Sequence, residues 1–168
     1  MKKLIMPLLI IAIAVGAIIT LFMSLAQQEH LLVFYEGNHD KKVIEFKPGQ
    51  YQCPQCKMEI ETLKYSAEAV MPDGKTFFFD DPGCLVLWLN DKSVKDKITL
   101  WIHTIDTEKW IDPRNAYYSL TENTPMQYGF GAYENRKDGM IDFEAMQMKM
   151  LRGENLTDPY IRKKLLGY

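Results

Sequence analysis

Cys53-Pro54-Gln55-Cys56-Lys57-Met58 brings two thiols and a thioether together just after the turn-prone pair Pro48-Gly49. Thiolate and thioether sulfur are soft donors that select Cu(I), whereas zinc draws on Cys, His and carboxylates and seldom uses Met. Met58 is therefore the residue that tilts this stretch toward copper. Three other chemistries fit the same residues: a redox or structural disulfide between Cys53 and Cys56, a structural zinc knuckle, and Met58 as a plain core side chain. A thioredoxin-like dithiol should open a helix inside a βαβ unit. No helical apolar stripe runs through Lys57 to Thr62.

Further donors lie along the chain. Cys84 falls in the first turn of an expected helix, where backbone amides and the helix dipole favour a thiolate. It also shares a face with Leu87 and Trp88, as a buried structural thiol would, so both readings stay open. His103 sits among bulky residues of an expected strand, the setting of a hydrogen-bonded core imidazole more often than of a ligand. With Cys53, Cys56 and Cys84 it would nevertheless complete a Cys3His zinc set. His39 in a loop and His30 near the apolar segment read as solvated. Met146 and Met150 are one helical turn apart on a face with Phe143, while Met148 points elsewhere, so this Met string reads as core.

These donors must be positioned by a chain of 168 residues with 47% hydrophobic content and a net charge of −2. That suffices for one domain plus a terminal segment, and no basic patch supports a nucleic-acid partner. Leu4 to Met23 carries no charge. A helix of that length spans a bilayer core of about 30 Å. Lys2 and Lys3 precede it and no further Lys or Arg comes before Lys41, which by the positive-inside rule leaves the N-terminus in the cytoplasm and the remainder outside. The alternative for residues 1–26 is a signal peptide cut after Ser24-Leu25-Ala26, releasing a chain that starts at Gln27. Either route leads to a compartment where thiols pair unless a metal or reductant holds them. Three Cys is an odd count, which leaves at least one thiol free, paired between chains or metal-bound.

Residues 27–50 read as a connector with short strands at Leu31–Tyr35 and Val43–Phe46. From Lys64 to Met71 the pattern alternates, Tyr65, Ala67, Ala69 and Met71 on one face against Lys64, Ser66 and Glu68 on the other, which predicts a half-buried strand. Pro72-Asp73-Gly74 turns it into a partner strand at Thr76–Phe79. Asp81 as N-cap and Pro82 at the first helical position start a helix running to about Lys92. A strand over Ile98–Ile105 closes a ββαβ module. A second copy of the strand-strand-helix order follows in Tyr117–Leu120, Gly129–Glu134 and a helix from about Ile141 to Arg152, stopped by Gly153. The expected class is α+β: an N-terminal transmembrane helix, then a small domain of two ββαβ-like modules.

Four blocks, in this order and spacing, resemble the NosL family, the copper-binding accessory proteins of nitrous oxide reductase. They are Cys53-Pro54-Gln55-Cys56-Lys57-Met58; Phe79-Asp80-Asp81-Pro82-Gly83-Cys84; Trp110-Ile111-Asp112 with Ala116; and Thr124-Pro125-Met126 with Gly129 and Ala132. The likeness covers residues 51–134, with residues 135–168 expected as a helical segment packed on that domain. The resemblance implies a non-enzymatic, membrane-tethered periplasmic Cu(I) chaperone on a fold akin to organomercurial lyase. Such a protein takes copper from a donor protein and supplies it to nitrous oxide reductase or its assembly machinery. It further implies Cys56 and Met58 as the metal-binding pair, with Cys53 assisting, and Met126 in the Thr-Pro-Met turn. The chain departs from the family in carrying Lys57 and Gln127 where Gly is usual, and in lacking the common lipoprotein Cys. An extracytoplasmic thiol-disulfide oxidoreductase using Cys53 and Cys56, and a Cys3His zinc domain, are the alternatives.

Overall fold

The structure, a computed structural model, describes residues 2–26 and 31–167, and within the first helix the side chains of Met6 and residues 10–23. His30 and Gln27 lie outside the described residues. Helix α1 is Lys2–Ala26, 25 residues long. Its described side chains include exposed Ile10, Ile13, Leu21 and Phe22. Among the described residues no helix is long and apolar enough to cross a membrane. The apolar run expected to do so lies in α1, where the side-chain description covers only part of it.

Leu31–Tyr168 forms one compact α+β unit. Its main sheet is antiparallel, ordered β1-β3-β2-β4-β5, from β1 (Phe34–Tyr35), β2 (Ala67–Val70), β3 (Thr76–Phe79), β4 (Thr99–His103) and β5 (Trp110–Ile111). The β2–β3 hairpin is set locally. Gly74 takes the left-handed conformation at φ +87°, and the turn closes through Met71 N–H to the Lys75 carbonyl at 2.8 Å. Side chains alternate across a pleated strand. Ala67, Ala69, Phe79, Leu100 and Ile102 therefore face one core together with helix α2, Pro82–Asn90. Phe78 and Trp110 face a second core with Phe46, Tyr51 and Ile60.

That second core changes two expectations. The strand predicted at Val43–Phe46 is not formed; this segment lies over the sheet without a ladder. Its Ile44 N–H donates to the Glu68 carboxyl at 3.1 Å, and the Trp101 indole N–H donates to the Lys41 carbonyl at 3.1 Å. The face of β2 predicted to meet water is consequently covered, and Ser66 and Glu68 are fully buried. Alternation identifies the two faces of a strand, but only the rest of the chain decides whether the polar one is roofed over.

A two-stranded sheet, β6 (Tyr117–Ser119) with β7 (Gly131–Tyr133), precedes helix α3, Phe143–Leu151. The Asp142 carboxylate caps α3 by accepting from Ala145 N–H at 2.8 Å, and Gly153 follows the helix at φ +73°. Met146 and Met150 are buried in the main core and Met148 is exposed. The second strand-strand-helix unit has no closing strand: the chain continues into helix α4, Pro159–Leu166. The first module is thus ββαβ and the second only ββα.

Candidate metal centre

The sulfur loop is a tight hairpin. Gln52 bridges Glu59, Cys53 N–H donates to the Met58 carbonyl at 2.9 Å, and Lys57 N–H donates back to the Cys53 carbonyl at 3.0 Å. Closing so short a loop needs a left-handed residue, and Lys57 supplies it at φ +67°. The loop does not open a helix, and Cys53 is fully buried. Neither suits a dithiol whose attacking sulfur must be reached by a disulfide. All three Cys are free.

The start of α2 meets this loop. Asp81 is the N-cap, with φ −148° and its carboxylate accepting from Gly83 N–H at 2.8 Å. The same carboxylate accepts from Met126 N–H at 3.2 Å, fastening the Thr-Pro-Met turn to the helix. Gly83 permits a close approach there, since a Cβ on it would lie 2.4 Å from the Tyr128 ring. Asp80, one residue earlier, has both carboxylate oxygens 3.3 Å from the Cys56 thiol. Cys84 follows in the first turn. One ligand atom each from Cys53, Cys56, Asp80 and Cys84 all lie within 4.8 Å of one another.

Three thiols and a carboxylate in one buried place perturb one another. Burial above all pushes the Cys56 thiol up to about 12, with the charges of Cys53 and Asp80 adding to the effect. The hydrogen bond between Cys84 and Cys53 lowers Cys53 and raises Cys84. Asp81 is raised to about 6 by burial, against hydrogen bonds from Thr124, Gly83 and Met126 that favour its charge. Without a cation Cys56 and Cys84 are therefore held as neutral thiols, and Cys53 is the one shifted toward thiolate. A metal ion replaces those protons.

Met58 is 45% exposed. It borders an open cleft that also reaches Asp80, Thr124, Pro125 and Gln127. Met126, half-buried, packs against the main core, and its turn is shaped by Thr124, whose hydroxyl accepts from Tyr128 N–H at 3.2 Å. Gln127 has φ +57°. His103 is not among the groups that converge. Its strand register puts it on the face opposite Cys84, edge-on to Trp110 at 5.3 Å between ring centroids, with Nδ1 buried and unpartnered among the described residues. His39 lies in a separate surface depression with Asp73 and Lys75.

Asp80 takes the place that the Cys3His set would have given to His103. Sequence reasoning read Asp81 as the helix N-cap and gave neither Asp80 nor Asp81 a part in binding a metal. The available signal was their position: a residue just before an N-cap, in a block that ends in Cys, projects toward whatever the first turn faces.

Comparison with family models, with curated proteins and with solved structures finds no match.

Proposed function

We propose that this chain is a Cu(I) carrier of the NosL type, tethered to the cytoplasmic membrane by α1 with its thiol domain in the periplasm, and that it serves maturation of nitrous oxide reductase. The observation that carries the reading is the convergence of Cys53, Cys56 and Cys84 within 4.8 Å. A soft site of that kind favours a soft ion over a hard one. A second support comes from the backbone. Lys57 and Gln127, the two positions where the resembling family carries Gly, both have positive φ, at +67° and +57°. Glycine is the residue such conformations prefer.

Copper of low coordination number passes to an acceptor by exchange of ligands, with no change of oxidation state and no bond made to carbon. Met58 and Asp80 on the open cleft give an acceptor's donors an approach to Cys56. The tether reading rests on the apolar helix α1 and on Lys2 and Lys3 at its start.

Asp80 favours one second reading. Three thiolates and a carboxylate also make an acceptable tetrahedral zinc set. Competition separates the two. The full chain in detergent under reducing conditions, offered equimolar Cu(I) and Zn(II), should retain copper, and Cys56→Ser should lose it. Stoichiometric zinc that cuprous ion does not displace overturns the copper reading. Protease added to intact spheroplasts should remove the thiol domain; protection until lysis would place the thiols in the cytoplasm and end the delivery role.

A further inference from the structure

The sulfur donors differ steeply in their access to solvent. Met58 is 45% exposed, Cys56 is half-buried, and Cys53 and Cys84 are at 0%. The order of exposure is also an order in space. The open cleft is bordered by Met58 and Asp80; Asp80 touches Cys56 at 3.3 Å; and Cys53 and Cys84 complete the cluster behind it. A single rigid seat for an ion that must be handed on needs no such gradient. An ion fully enclosed by Cys53 and Cys84 would exchange slowly, and one held only at the cleft would be exposed to any competing thiol.

Resting on the copper reading above, we propose that Cu(I) occupies two seats joined by Cys56: an outer seat formed with Met58 at the cleft, where it is loaded and released, and an inner seat formed with Cys53 and Cys84, where it is stored. Cys56 gives up its thiol proton on loading and stays bonded while copper moves between the two seats. On moving inward the Cu–S bond to Met58 breaks as Cu–S bonds to Cys53 and Cys84 form, and their thiol protons are released to water. Copper remains cuprous and no oxidant or reductant takes part. Release runs the same steps backward to the outer seat, where the acceptor's sulfur adds as the Cu–S bonds to Met58 and then Cys56 break and Cys56 takes up a proton from water. Asp80 stands beside the shared ligand, its carboxylate accepting a hydrogen bond from the Cys56 thiol at 3.3 Å. The reach of the sulfur site is thereby extended from the pair implied by the family resemblance to a residue of α2, Cys84.

Selenomethionine provides a test in the full chain. Copper-edge absorption of the Cu(I)-loaded, selenomethionine-labelled protein should show sulfur neighbours and no selenium neighbour at rest. Cys84→Ala should bring selenium into the copper shell and speed copper loss to a competing chelator at least tenfold. Met58→Leu should slow loading and release alike, leaving affinity within about threefold. If Cys84→Ala fails to fold, the wild-type selenium signal and the Met58→Leu rates still decide. A full-occupancy Cu–Se signal in the resting wild type, or a Met58→Leu protein that loses affinity while Cys84→Ala exchanges as wild type, reduces the site to one outer seat and overturns the proposal with the copper reading intact. Failure to bind Cu(I) at all removes the copper reading itself.

Discussion

Asp81 and Glu68 are both fully buried carboxyl groups, on opposite faces of the same sheet. Asp81 accepts from Gly83 and Met126 N–H groups and is raised only to about 6. Glu68 accepts from Ile44 N–H alone, its other oxygen has no partner among the described residues, and burial raises it to about 8. The difference teaches what each face is for. On the thiol side a charge is tolerated because it organises three segments, the helix start, the Thr-Pro-Met turn and, through its neighbour Asp80, the sulfur loop. On the far side a carboxyl pins a covering segment and is best kept protonated.

Removing each carboxyl should therefore act in opposite directions. Asp81→Ala deletes an N-cap and strands the Met126 N–H, so it should cost about 3 kcal/mol in denaturant unfolding. It should also weaken copper retention through the displaced turn. A loss under about 0.5 kcal/mol would mean that the carboxylate's burial cost cancels its hydrogen bonds, and the contrast with Glu68 would vanish.

Proton release should mark the thiol face alone. With Cys56 held near 12, copper must displace a thiol proton at neutral pH. Apparent Cu(I) affinity by chelator competition should rise about tenfold per pH unit for each proton displaced. Glu68→Gln should leave that slope unchanged; a flattened slope would show that the two faces are coupled.

Glu68 sets the pH dependence of stability on its own side. Its folded pKa lies above its unfolded one, so the folded state binds the proton more tightly and loses stability as pH rises from about 4.5 to about 8. Asp81 contributes in the same direction, but only up to about pH 6. Between roughly pH 6.5 and 8 the decline should belong to Glu68. Glu68→Gln should flatten it and be about 2 kcal/mol more stable than wild type at pH 8.5. Thermal melts across that range check it, and parallel curves for the two proteins would contradict it.

The smallest effect concerns the backbone. Lys57→Gly and Gln127→Gly relieve left-handed strain at φ +67° and +57° and should each stabilise by up to about 1 kcal/mol, net of the freedom glycine gains in the unfolded chain. Destabilisation by either would show that the Lys57 hydrogen bond to the Pro54 carbonyl, or the setting of Gln127, outweighs the strain.

Features governed by near neighbours in the chain were readable before the fold. The Asp81 cap with Pro82, the Gly74 turn, the Phe143–Met146–Met150 face and the strand-strand-helix order each depend on hydrogen bonds or periodicity spanning a few residues. The sulfur loop was legible for the same reason, being a hairpin closed within its own six positions. What the tertiary structure decided lies across register and packing. Which face of β4 carried His103, whether the polar face of β2 stayed wet, and whether Cys84 met Cys53 all depend on segments distant in sequence. Alternation is symmetric between two faces until other elements cover them. The sequence by itself therefore determined a short run of soft donors and, separately, a capped helix; only the packing of α2 against the sulfur loop brought Asp80 and Cys84 to those donors and left His103 behind, because the sheet has two faces and a side chain can occupy one.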